Sequence, residues 1–185
     1  ITYDYTLKML KLITESVKKK NNLNLGPYGD YEISEAWPPK NFYTYNHHPR
    51  YLVNQFGLRN RMAILSEAFA HERFYDRIYS THAFVSEILE FTKAHGKEIT
   101  ETNKKAENLT VQQIISNAGK AKKGVRFKLV PQDTLNNFRT YDYISYTKPD
   151  GTKGYYRTGN VIHVDGVVYH AKFQAEKETT LPHGY

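Results

Sequence analysis

The hydrophobic period changes once along this chain, close to residue 120, and that change limits what it can fold into. Before it, apolar residues recur every three or four positions, the spacing of one helix face. After it, short β-branched and aromatic runs are separated by turn signals. Residues 3–20 read as an amphipathic helix with Leu7, Leu10, Ile13 and Val17 in one stripe, Asp4 as N-cap and Asn21-Asn22 as the stop. Residues 73–95 predict a second helix with Phe74, Ile78, Val85, Ile88 and Leu89 on one side and Gly96 as its stop. Residues 98–119 predict a third, faced by Leu109, Val111, Ile114, Ile115 and Ala118 and ended by Gly119. Residues 125–130, 140–146, 154–161 and 167–173 read as strands of an antiparallel sheet. Pro149-Asp150-Gly151 and Asp165-Gly166 supply the turns, since glycine accepts the positive φ that hairpin turns need. The expected class is α/β, with an α/β part over residues 1–120 and a small β-rich segment over residues 121–185. With 185 residues, the chain is long enough for one domain or for pieces of two.

Between the first two helices lies the stretch with the most chemistry. Residues 21–46 show little periodicity and carry Tyr28, Tyr31, Trp37, Phe42, Tyr43 and Tyr45 between turn residues. A connection of that length with that aromatic content lines a cleft or is pinned to the surface. Residues 43–69 then gather Arg50, Arg59 and Arg61, place a turn at Gly57, and end an apolar run (Met62, Ala63, Ile64, Leu65) on one acid, Glu67. Residues 58–65 read either as a buried strand or as the first turns of a helix. A carboxylate leaving an apolar element beside arginines suits a site for anionic substrates. A structural ion pair of Glu67 with Arg59 or Arg61 is the simpler reading on residue types alone.

Several chemistries are excluded. Without cysteine, there is neither a disulfide framework nor thiolate catalysis. No apolar run approaches the ~18 residues of a membrane span, so no membrane partner is expected. The net charge of +7 concentrates at Lys18, Lys19 and Lys20, which close a helix, and at Lys120, Lys122 and Lys123 before the first strand. Helix C-termini favour cations, so no nucleic acid is expected as partner. Neither a Gly-x-Ser-x-Gly elbow nor a phosphate-binding glycine loop occurs. Of eight histidines, His47 and His48 are adjacent and point apart in an extended strand, His71 and His82 lie eleven apart, and His163 and His170 sit in the β-rich part. His95 and Glu98 make one nominal His-x-x-Glu. Tetrahedral zinc needs three converging ligands, and the spacing gives no such set.

Pro49-Arg50-Tyr51, the run Asn54-Gln55-Phe56-Gly57-Leu58-Arg59-Asn60-Arg61, and Ile64-Leu65-Ser66-Glu67-Ala68-Phe69 resemble the last third of a carboxypeptidase A-like zinc carboxypeptidase domain. The likeness is to a bacterial branch whose catalytic glutamate lies in a "GLRNR…ILSE" stretch, and the helix over residues 74–91 matches in position. It covers roughly residues 1–100 and is most specific over residues 50–69.

The resemblance implies an α/β sandwich with a mixed central sheet, a zinc that activates water, and cleavage of a C-terminal residue or a related amide bond. It makes Glu67 the general base, which passes the proton to the leaving amine. It places a substrate-pocket tyrosine upstream, for which Tyr43, Tyr45 and Tyr51 are all candidates, and it brings Arg50, Arg59 and Arg61 to the substrate side. The family's zinc ligands precede its glutamate, whereas His95 and Glu98 follow Glu67. No metal ligand is therefore expected in this chain. Zinc is expected in a full-length parent, of which this would be a C-terminal fragment starting at Ile1, inactive alone. Extracellular or periplasmic placement follows from the resemblance only. The alternative is a non-catalytic peptide- or glycan-binding module, or pseudo-enzyme, using the aromatic loop and β-rich surface. Exposed sheet edges make self-association a further expectation.

Overall fold

The computed structural model describes residues 1–31, 37–117 and 119–181. Helix and sheet are both present, in agreement with the coarse α/β expectation. Two compact units divide the chain. The first joins Ile1–Pro27, His47–Lys123 and Thr179–Tyr185; the second joins Tyr28–Asn46 and Gly124–Glu178. Seventeen of the 26 Lys and Arg residues but only ten of the 19 Asp and Glu fall in the first unit, which therefore carries the whole net charge of +7.

The first unit is built from α1 (Thr2–Asn21), α2 (Leu52–Leu58) and α3 (Phe74–Ser116). The α1 boundaries follow the sequence: Asn22 adopts φ 54° and its N–H bonds the Lys18 carbonyl, the left-handed stop that asparagine tolerates. Ile1, not Asp4, is the N-cap, and Asp4 sits in the first turn. The buried stripe is also rotated from the expected one. Met9, Ile13 and Val17 are buried while Leu7 is 40% exposed. A strict four-residue step from Tyr5 through Val17 faces α3, and Tyr5, Phe84, Ile88, Phe91 and Ile99 close around it.

Residues 74–116 form one helix of 43 residues, not the two expected. Gly96 lies in its interior. A mid-helix glycine costs about 1 kcal/mol relative to alanine, too little to break a helix supported on both sides. Thr100 Oγ1 donates to the Gly96 carbonyl at 2.8 Å, and Lys97 and Glu101 pair one turn apart. Of the apolar face expected for its first half, Ile88 packs on the α1 core and the other four residues stay exposed. Phe74 is 75% exposed and Leu89 64%, while Phe84 and Phe91, on the adjoining side, meet α1.

Polar contacts fix α1 and α3 as antiparallel neighbours. Asn21 reaches Tyr79, Glu87 accepts from Ser16 at 2.6 Å and from Lys20 at 2.7 Å, and Tyr5 lies beside Glu98. The Lys20 ammonium, then the Ser16 hydroxyl, hold the Glu87 carboxyl below its ordinary value of 4.5. At the other end the Tyr5 hydroxyl, followed by His95 and Lys8, does the same for Glu98. Tyr5 and Glu98 are close enough to shift one another yet miss hydrogen-bond geometry. Burial first, and that carboxylate second, push the tyrosine up to about 12.

The second unit holds every strand: β1 (Asn41–Tyr43), β2 (Lys122–Leu135), β3 (Phe138–Thr147), β4 (Lys153–Val164) and β5 (Val167–Thr180), the ends of β2 and β5 reaching into the first. All four expected strands are present, each longer than its apolar run. The order β1-β5-β2 makes one sheet and β3-β4 a second, antiparallel one. β1 was not anticipated. It comes from the aperiodic connection and pairs in parallel with β5, Phe42 opposite Tyr169, because Phe42, Val167 and Tyr169 bury one another. Two short links, Asn136-Asn137 and Asp165-Gly166, turn the chain from one sheet into the other. They are cross-bonded: Asn137 N–H donates to the Asp165 carboxylate and Gly166 N–H to the Asn136 side chain. Gly166 takes φ 73° there. β2 is an edge strand, and Lys122, Lys123, Arg126, Lys128 and Pro131 along it discourage edge-to-edge pairing.

Because the Glu87 pKa is lower folded than unfolded, the unfolded chain binds the extra proton between the two values. The stabilisation is complete above 4.5 and disappears as pH falls through the folded value. Urea unfolding from pH 7 to pH 3 should show the wild type losing stability through this window and Glu87→Gln losing less. Parallel curves would contradict the assignment.

Candidate functional site

The stretch around Glu67 is neither strand nor helix. α2 ends at Leu58 with Gly57 inside its last turn, Asn60 takes φ 55°, and residues 61–69 run on without regular structure. The expectation for residues 58–65 is thus corrected: an asparagine in the left-handed region follows the helix end, and the run makes no strand pairing among the described residues. Side chains hold it instead. Asn60 Nδ2 donates to Thr110 Oγ1 at 3.1 Å, Arg61 pairs with Glu107 at 2.6 Å, and Ile64 packs against the Met9, Ile13 and Val17 core. Asn60 and Arg61 are consecutive, while Glu107 and Thr110 lie one turn apart on α3. The segment therefore runs back along α3 towards the α1 contact.

Glu67 follows Ile64 by three residues, is exposed, and makes no hydrogen bond or ion pair among the described residues. The simpler reading of this carboxylate, a structural partner for Arg59 or Arg61, is not what forms: Arg61 is taken by Glu107, and Arg59 makes no ion pair with Glu67. The remaining candidates separate. Arg50 lies over the Tyr51 ring at 5.1 Å and donates to its hydroxyl, with Tyr51 as N-cap of α2. Arg59 follows the last residue of α2, is exposed, and has no partner among the described residues. Tyr43 and Tyr45 belong to the second unit. There Tyr43 stacks on His170 at 4.7 Å and Tyr45 meets Tyr28 edge-on at 5.5 Å. Burial first, and Tyr28 second, push the Tyr45 hydroxyl up from 10.0.

Among the described residues, no three His, Asp or Glu side chains come together to hold a metal ion. His47 and His48 stack on each other at 5.1 Å. His95, expected beyond a helix stop, is inside α3, where it stacks on Phe91 and meets Glu98 at 3.3 Å. His170 bonds Asn41, and His163 bonds Asn137. Zinc is therefore not fitted by these residues. A cavity of about 210 Å³ at the end of α3, lined by Thr110, Gln113, Asn117 and Lys122 among others, includes neither Glu67 nor the arginines.

Sequence reasoning missed Glu107 and Thr110, which position the stretch, Glu87, which clasps α1, and Glu98, which lies beside Tyr5. The partners are 46 to 93 residues apart, and on one helix these acids look like any solvated face. The chain matches no family model, no curated protein and no solved structure.

Replacing Ile64 with alanine should cost about 1–2 kcal/mol, below the range for fully buried aliphatic truncations because the side chain is partly buried. Glu67→Gln should stay within about 0.5 kcal/mol of wild type, as for surface groups without partners. Urea denaturation checks both. A large loss in the Glu67 variant would return that residue to a structural role.

Proposed function

We infer that this chain is the base-bearing C-terminal part of a carboxypeptidase-like hydrolase, inactive alone, with Glu67 as general base on peptide or related amide bonds. The observation that carries the reading is the carboxylate of Glu67: exposed and unpaired, three residues beyond an isoleucine anchored in the core. It stands in the stretch, residues 50–69, whose sequence resembles that family most specifically. Proton transfer by a positioned carboxylate is worth about 10²–10⁴-fold, and positioning is what Asn60, Arg61 and Ile64 supply. On this reading Glu67 accepts a proton from the attacking water and hands it to the leaving amine. Arg59, with its guanidinium free, is the arginine available to a substrate carboxylate. Arg61 and Arg50 act behind it, one holding the segment and the other the start of α2.

The exposed part of the apolar side of α3 supports the same reading. Phe74, Ile78, Val85 and Leu89 fall within one exposed arc of the helix, adjoining the side where Phe84, Ile88, Phe91 and Ile99 meet α1. An apolar side wider than α1 covers leaves room for a further packing element, as a larger catalytic domain would supply. The described residues do not fit a metal.

In the full-length protein, Glu67→Gln should lower release of C-terminal residues from peptides by about 10²–10⁴-fold and leave metal content unchanged. Turnover at the wild-type rate would refute the assignment. Elemental analysis of the 185-residue chain should find no stoichiometric zinc, and one tightly held zinc per chain would overturn its description as the half without ligands.

A further inference from the structure

Among the described residues, the β3-β4 sheet has one covered face and one bare face. On the covered face the Trp37 ring lies 4.6 Å from Tyr143, and its indole N–H donates to Asp142. On the other, the register sets Ile144 opposite Tyr156 and Tyr146 opposite Gly154. Directly opposed residues share a face of the pleat, so these four lie together. Ile144 and Tyr146 are each 50% exposed and Tyr156 is 56% exposed.

Gly154 explains how Tyr146 is held. A Cβ at position 154 would come within 2.5 Å of the tyrosine Cζ and 2.8 Å of its hydroxyl oxygen. The ring therefore lies down across bare backbone, buries the glycine and turns its other side to solvent. Any side chain at 154 would lift it. An exposed aromatic ring fixed in this way loses little freedom when a ligand stacks on it.

We propose that this face, with Tyr146 as platform and Tyr156 beside it, binds a neutral oligosaccharide by stacking of its pyranose rings. Size argues for a small flat ligand. Two tyrosines and an isoleucine, each about half exposed, offer roughly 300 Å², well below the ~800 Å² per partner of a stable protein interface. Charge argues for a neutral one: none of the four residues on the face is charged, and the net charge of the chain falls in the other unit. Shape favours sugar over a polyproline ridge, because the ring lies flat on the sheet and a proline-rich peptide docks between groove walls. The C–H-rich side of a pyranose packs on one ring, and the diagonal neighbour, roughly 7–8 Å away across the strands, receives the next residue. This site lies in the second unit and does not depend on the assignment of Glu67.

Isothermal titration of the whole 185-residue chain with cellohexaose, xylohexaose and mannohexaose, and with a decaproline peptide, tests the proposal. At least one hexasaccharide should bind. Tyr146→Ala should weaken it about tenfold or more, the loss of a stacking contact, while Tyr146→Phe keeps it within about twofold of wild type. Gly154→Ala, which retains the tyrosine but displaces its ring, should weaken binding as well, and Tyr156→Ala provides the check should Tyr146→Ala fail to fold. Binding of no sugar, equal binding by wild type and the folded alanine variants, or binding of decaproline alone would overturn it.

Discussion

Everything in the first unit depends on the packing of α1 against the middle of α3. Ile13 and Val17 are 1% and 0% exposed there, and removing either would leave a cavity on one of the few buried surfaces the unit has. α3 spans about 65 Å at the usual helical rise and α1 about 30 Å, so α1 covers only part of it. Glu87 clasps one end of the contact through Ser16 and Lys20, and Asn21 reaches Tyr79 beyond it, which fixes register as well as affinity. The third participant is Ile64. By joining this core it turns an irregular stretch without backbone partners into a positioned one, and so places Glu67.

How the Glu67 stretch is held bears on how its charges divide. Three arginines and one glutamate within 18 residues invite mutual neutralisation, and the structure distributes them otherwise. Arg61 spends its charge on α3 and Arg50 lies over a tyrosine, which leaves Arg59 and Glu67 with open valences. An ion pair with Glu107, its two side chains 44% and 42% exposed, contributes little stability. Its consequence is geometric, since it commits Arg61 elsewhere and keeps the carboxylate free.

The sequence made some of this legible. The α1 limits, both glycine turns and the four long strands were readable because each is set by local chemistry: a left-handed asparagine, positive φ at Gly151 and Gly166, and β-branched runs. What it concealed was decided over distance. Gly96 looked like a stop because its isolated propensity is poor, but a helix of 43 residues absorbs that cost. The packed part of α3 could not be chosen from the pattern, because its apolar side is broader than α1 and only the position of α1 decides which part is covered. β1 left no periodic trace, being three residues long and stabilised by β5, more than 120 positions away. Of the candidate site, Glu67 was visible as a residue; its freedom was not, since that rests on Glu107 and on Ile64 reaching α1.

The dependence of Glu67's position on the α1–α3 core is tested most directly by a double-mutant cycle between Ile13→Ala and Ile64→Ala, read by urea unfolding of the whole chain. Residues that share a core should couple by about 0.5–3 kcal/mol, so the double variant should differ from the sum of the single losses by that amount. Additivity within about 0.3–0.5 kcal/mol would mean that the stretch carrying Glu67 does not belong to that core, and would contradict the account.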